Sequence, residues 1–188
     1  MSYSVQDIRN VCLLGHGGNG KTSLAESLLY MTGGTDRLGK PADGNTVCDY
    51  DPEEIKRQIS ISAAIAPIEY NGCKINLLDT PGNFDFVGEV VECLRVAEAG
   101  IMVCAAKGGM SVGTERAWKY LERRKLPCII YISKTDEENG DFNAAFNALR
   151  EKFGKTIAPL VVPIWDADKK VIGIVDVLNK RAYGVEKG

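Results

Sequence analysis

The chain has 188 residues, 45% of them apolar and 26% charged, with 23 Lys+Arg against 25 Asp+Glu for a formal net charge of −2. Those proportions exclude a disordered or fibrous chain, and the near balance of charge excludes a broad basic field for DNA or for a membrane surface. No apolar run approaches the roughly 18 residues of a membrane span, and the N-terminus lacks a basic segment followed by an apolar one, so a cytoplasmic protein with no membrane partner and no sequence-specific DNA partner is expected.

The first predicted strand is Asn10 to Leu14, short and nearly continuously apolar. It runs into Gly15-His16-Gly17-Gly18-Asn19-Gly20-Lys21-Thr22, which fits GxxxxGK[ST] in the context that gives that pattern meaning, a strand before it and a helix after it. Glycines let the backbone wrap closely and aim N–H groups at phosphate oxygens, and a helix N-terminus adds a favourable dipole. Residues Gly15 to Ser23 are therefore candidate phosphate binders. Lys21 is expected to bridge the β and γ phosphates and the Thr22 hydroxyl to ligate Mg²⁺. The helix carries Leu24, Leu28 and Met31 at i, i+4, i+7 and stops at Gly33-Gly34.

Thr35 to Gln58 has little periodicity and many charges, and reads as a long functional loop. Ala64 to Tyr70 and Cys73 to Leu78 flank Asn71-Gly72, a strong hairpin signal, so one antiparallel strand joins the sheet, at an edge because of Pro67. The strand from Lys74 ends at Asp79-Thr80-Pro81-Gly82. There Asp79 can reach the water shell of a phosphate-bound Mg²⁺, and the Gly82 N–H can meet a γ phosphate.

A helix is predicted from about Asp85 to Ala99 with Val87, Val91 and Leu94 on its apolar stripe, then a strand over Ile101 to Ala105 and a helix over Thr114 to Arg124. A strand over Cys128 to Ile132 leads into Ser133-Lys134-Thr135-Asp136. A carboxylate at Asp136 can accept both the N1–H and the 2-amino hydrogens of guanine, which adenine cannot offer, so GTP is expected over ATP. Lys134 would lay its stem along the base, with Ser133 beside it. A last helix carries Phe142, Phe146, Leu149 and Phe153, and a last buried strand covers Leu160 to Ile164.

Strands alternating with helices imply an α/β fold, a mostly parallel central sheet with one antiparallel edge strand and helices on both faces. The six cysteines, 12, 48, 73, 93, 104 and 128, never form a CxxC pair and read as buried free thiols, and the single His16 leaves no zinc site.

These motifs, in this order, resemble the G domain of translational GTPases, and most closely elongation factor G and its paralogues. Asp79-Thr80-Pro81-Gly82-Asn83-Phe84-Asp85-Phe86 with Gly88-Glu89-Val90 is similar to that family's second switch, and Arg57-Gln58-Ile59-Ser60-Ile61-Ser62 to the end of its first. Gly173 to Leu178 with Ala182-Tyr183 resembles the start of the insertion such factors carry, which divides the chain into a P-loop G domain core, 1–164, and the beginning of an inserted subdomain, 165–188. By the resemblance the chain is the N-terminal piece of a longer factor.

The resemblance implies hydrolysis of GTP to GDP and phosphate on the ribosome as a conformational switch. Ser60 then takes the position of a Mg²⁺-ligating switch hydroxyl, and Lys21, Gly82 and Asn83 form the catalytic set. Four departures stand out: Asn83 where the family has a water-positioning histidine, Ser133 for an asparagine, Gln58 for a glycine, and Gly18 for an aspartate. The first motivates an alternative, a GTP-binding ribosome-associated module with little hydrolysis; an ATP-dependent P-loop enzyme is a further one.

Overall fold

The computed structural model describes residues 3–107, 110–168 and 170–184. Of the expected insertion, 169 and 185–188 lie outside the described residues. The chain divides into two compact units, one running to Cys104 and including Ser111–Tyr131, the other made of Ala105–Met110 and the residues from Ile132 onward.

A five-stranded sheet has the order β2-β3-β1-β4-β5, built from β1 (Ile8–Leu14), β2 (Ala64–Tyr70), β3 (Cys73–Asp79), β4 (Ala99–Ala105) and β5 (Cys128–Ser133). Central β1 pairs in parallel with β3 (Val11 opposite Leu77) and with β4 (Leu13 opposite Ile101). The β2–β3 hairpin is antiparallel from Tyr70↔Cys73 to Ala64↔Asp79, and its two loop residues, Asn71 and Gly72, take φ of 48° and 78°, the left-handed pair that a two-residue hairpin turn needs. Pro67 sits on the edge strand, where its missing N–H costs no ladder bond. The fold expected from the alternating pattern is therefore present.

Alternating side chains of β1 serve both faces of the sheet. Leu13 points into a cluster with Ala25 and Leu29 of helix α1 (Lys21–Met31) and with Ala66, Ile68 and Leu77 of the hairpin. On the other face, Leu14 and Leu121 both close over Gly100, where a Cβ would collide with Leu121; Leu121 belongs to helix α4 (Val112–Arg124). Helix α3 (Val87–Val96) buries Val90, Cys93 and Leu94. Helix α5 (Phe142–Phe153), in the second unit, is capped by Asp141, whose carboxylate accepts from the Ala144 N–H at 3.0 Å.

Several expectations are corrected. Met31 is 80% exposed, because the buried face of α1 runs through Ala25 and Leu29 instead. Val91 is 46% exposed, since α3 turns Val90, Cys93 and Leu94 inward at i, i+3, i+4 spacing. Strand β5, whose apolar run reads like that of a buried central strand, lies instead at the sheet edge, with Ile129 and Tyr131 exposed.

The strand expected over Leu160 to Ile164 does not join the main sheet. As β6 (Val161–Trp165) it forms an antiparallel three-stranded sheet with β7 (Val171–Asp176) and β8 (Arg181–Gly184). An apolar run of that length pairs with whichever strand a short turn returns to it, and the Asp166 N–H, donating to the Lys170 carbonyl at 3.0 Å, marks that return to β7. The boundary drawn after Ile164 thus falls inside a strand. Within the 35–58 loop lies a six-residue helix, α2 (Pro52–Arg57), started by a capping box of Asp51 and Glu54.

Candidate functional site

Strand β1 delivers the chain to Gly15, whose φ of 143° and whose approach to the Val103 carbonyl leave no room for a Cβ. The loop then closes on itself: the Asn19 N–H donates to the His16 carbonyl at 3.3 Å, and the Asn19 amide to the Val103 carbonyl at 3.0 Å. Gly18 and Gly20 take φ of 77° and 90°, and Gly20 is the N-cap of α1. The first turn of α1, with Lys21, Thr22 and Ser23, therefore opens its free N–H groups beneath the loop, a ready anion site.

Lys21 is 5% exposed. Its ammonium donates to the carbonyls of Gly15 and His16, each at 3.1 Å. Burial holds its pKa below the usual lysine value, with Asp79 and Asp49 pulling the other way.

At the end of β3, Asp79 is 2% exposed and accepts from the Thr22 hydroxyl at 2.7 Å. Burial pushes its carboxyl up to about 6, against the Thr22 hydrogen bond and the Lys21 charge. Ser60 brings a second hydroxyl to within 3.1 Å of Thr22 Oγ1. Three hard oxygens from three separate segments thus converge, and Asp79 Oδ1 is buried with no partner. That donor set fits a hard divalent cation that takes a few protein oxygens and completes its shell from phosphates and water. Among the described residues no cluster of three His, Cys, Asp or Glu could hold a metal by itself.

Gly82 packs so closely on Gly17 and Lys21 that a Cβ there would overlap the Gly17 backbone and the Lys21 ammonium. Asn83 caps a 3-10 turn over Phe84–Phe86, its side-chain oxygen accepting from the Asp85 N–H at 3.3 Å. Phe84 rests between the His16 ring, centroids 5.8 Å apart, and the Arg116 guanidinium, 4.2 Å from its ring centre. Thr80 donates to the Leu13 carbonyl at 2.6 Å and ties this turn to β1.

The structure thus brings together Gly15 to Ser23, Ser60, Asp79, Gly82 and Asn83, all in the first unit. Ser133, Lys134 and Asp136 belong to the second. There Ser133 is buried, and its carbonyl accepts from the Ala106 N–H at 2.8 Å. Lys134 takes a φ of 58° and pairs with Glu137 at 3.0 Å. Asp136 is exposed.

Three carboxylates escaped sequence reasoning. Glu26, fully buried on α1, accepts from the N–H groups of Val47 and Cys48 at 2.7 and 3.1 Å. Glu54 accepts from Asp51, Ile61 and Ser62, and Glu89 from Ala63 at 2.7 Å. Together they hold both ends of the 46–63 segment. Only Glu54 had a local signal, the Asp-Pro-Glu-Glu start of a helix. None of the six cysteines forms a disulfide; Cys12, Cys48, Cys93 and Cys104 are buried as expected, but Cys73 and Cys128 are only partly so, and burial raises Cys93, Cys104 and Cys128 to about 11.

Comparison with known proteins agrees with this geometry. Residues 6–185 match the model of the elongation factor Tu GTP binding domain. Elongation factor G of Gluconobacter oxydans is 38% identical over all of this chain and 28% of its own length. An elongation factor G-like protein of Thermotoga maritima is 38% identical over 95% of this chain and 25% of its own length. The mitochondrial ribosome-releasing factor 2 of Mus musculus is 38% identical over 94% of this chain and 22% of its own. The chain therefore spans about a quarter of the length of these relatives. A crystal structure of a Thermus thermophilus protein superposes with a TM-score of 0.90 at 40% identity, covering 95% of this chain and 27% of that one. Among the described residues no helix is long and apolar enough to cross a membrane.

Proposed function

Since this chain belongs to the family of elongation factor Tu GTP-binding domains, we propose that it is the GTP-hydrolysing switch of an elongation factor G-like translation factor, with GTP or GDP and Mg²⁺ as ligands and the ribosome as partner of the full-length factor. The observation that carries the reading is the convergence of Thr22, Ser60 and Asp79 beside the buried Lys21. Mg²⁺, when bound, supplies positive charge to the phosphates, and these three residues would hold it.

The remaining roles follow from what each group can do. The 15–23 backbone and the α1 N-terminus bind phosphate oxygens, and Lys21 offsets charge developing on the γ phosphoryl group. Gly82 lies so close to Gly17 and Lys21 that nothing larger fits there, and its N–H would meet the γ phosphate. Asn83, an uncharged amide, helps place the attacking water by hydrogen bonding but cannot become a cation. Ser133, Lys134 and Asp136 receive the guanine. On this reading the G domain core ends before Val161 rather than after Ile164, and the β6–β8 sheet begins the inserted subdomain.

Titration with fluorescent GDP and GTP at defined Mg²⁺, with unlabelled ATP as competitor, tests the binding half. Guanine-selective, Mg²⁺-dependent binding is expected, and equal competition by ATP sinks it. Phosphate release from the full-length factor with and without ribosomes tests the other half, and no stimulation removes the enzyme.

A second reading, a GTP-binding module with little turnover, is favoured by one observation: the Asn83 side-chain oxygen is already engaged in capping Asp85. On that reading, Asn83→His raises the single-turnover rate by about tenfold, the size of one recovered charge-assisted contact. An unchanged rate shows that this position does not limit hydrolysis.

A further inference from the structure

Glu54 makes more contacts than its own helix requires. As the third residue of α2 its Oε2 accepts from the Asp51 N–H at 3.1 Å, which completes the capping box. One oxygen suffices for that. The other, Oε1, accepts from the Ile61 N–H at 2.8 Å and the Ser62 N–H at 3.0 Å. These are the two peptide groups immediately after Ser60.

The chain reaches that grip by a tight reversal. Gln58 ends α2 with a left-handed φ of 53°, and the Ile59 N–H returns to the Glu54 carbonyl at 3.2 Å. Glu54 is 2% exposed, and among the described residues no cation pairs with it. Its charge is therefore compensated by three backbone N–H groups, two of which can be satisfied only while Ser60 stays where it is. With those amides held, the Ser60 hydroxyl lies 3.1 Å from Thr22 Oγ1.

We propose that Glu54 is a positioning residue that holds the Ser60 hydroxyl at the metal site, and so supports Mg²⁺–GTP binding specifically rather than nucleotide binding in general. The proposal rests on the reading of Ser60 as a ligand of the metal in the GTP state. A carboxylate that merely capped α2 would matter equally with GDP bound. One that positions Ser60 matters only where Ser60 is used.

The test measures Mg²⁺–GTP and Mg²⁺–GDP affinities of the chain with Glu54→Gln, Ser60→Ala and the double substitution, thermal melts reporting whether each variant folds. Ser60→Ala is expected to weaken Mg²⁺–GTP about tenfold and leave GDP within about twofold. Glu54→Gln should reproduce that pattern, since its single acceptor oxygen cannot serve both the Asp51 N–H and the Ile61 and Ser62 N–H groups while its amide nitrogen faces the other, and the double variant should bind no more weakly than Ser60→Ala alone. Equal weakening of GTP and GDP by Glu54→Gln, or full additivity with Ser60→Ala, overturns the proposal. If Ser60→Ala leaves GTP binding intact, the metal role of Ser60 falls and the role of Glu54 with it, while guanine binding, read from GDP, stands apart. Should Glu54→Gln not fold, Glu54→Asp keeps the charge but shortens the reach; the same GTP-only loss supports the proposal, and an unchanged GTP affinity overturns it.

Discussion

The Lys21–Asp79 cluster of the first unit and the Ser133–Asp136 turn of the second, proposed to hold the phosphates and the base, are built differently. At the first, Lys21, Thr22 and Asp79 are all buried and already joined to one another or to the loop backbone. At the second, Asp136 is exposed, and Lys134 spends its charge on Glu137, the two side chains 36% and 42% exposed. The difference has an electrostatic reason. Phosphates bring several negative charges, and dipoles arranged beforehand avoid the cost of reorganising around them. A neutral base brings a flat face and a hydrogen-bond pattern, and it can itself bury the carboxylate that reads it.

The largest expected effect is at the first end. Lys21→Met removes a buried charge-assisted donor and should weaken GDP and GTP binding about a hundredfold, or roughly 3 kcal/mol. Nucleotide titration checks it, and a loss under tenfold would mean that this end is less pre-arranged than it looks.

Next comes pH. Burial raises the Asp79 carboxyl from 3.8 to about 6, so the folded chain keeps this proton to a higher pH than the unfolded one. Ionising it therefore works against the fold: the cost is absent below about pH 4 and complete above about pH 6, on the order of 3 kcal/mol by linkage. Asp49, raised mainly by burial, acts in the same direction. Urea unfolding without nucleotide should show stability falling from pH 4 to 7. Asp79→Asn, or saturation with Mg²⁺ and GDP, should flatten that slope, because a bound cation favours the ionised carboxylate.

At the base end the changes should be smaller. Ser133→Asn lengthens the reach and restores an amide, and should tighten GDP binding about fivefold, near 1 kcal/mol. Smallest of all, Glu137→Gln releases Lys134 from a half-exposed ion pair and should move GDP affinity by no more than about twofold. A large effect from either would show that this end is braced as firmly as the other.

Much of this was legible in the residues. The antiparallel hairpin expected at Asn71-Gly72 is present, and Pro67 lies on the edge strand. The GxxxxGK[ST] loop joins β1 to α1 as its glycines require. Helix faces are less legible: Met31 and Val91 satisfy a helical period yet lie outside, because an i, i+4, i+7 series does not say which of two neighbouring stripes meets the sheet. The partner of the 161–165 strand is equally hidden, because an apolar run carries no record of what it pairs with.

By itself the sequence determined what depends on neighbours in the chain: a hairpin turn with left-handed residues, a glycine loop between strand and helix, and a sheet of short apolar strands. The tertiary structure alone decided what depends on residues far apart meeting in space. Glu26, Glu54 and Glu89 look in sequence like ordinary charged positions; they become anchors only because the N–H groups of Val47 and Cys48, of Ile61 and Ser62, and of Ala63 meet them in space. Backbone donors leaving water must find an acceptor, and which carboxylate supplies it is settled by the fold rather than by spacing along the chain.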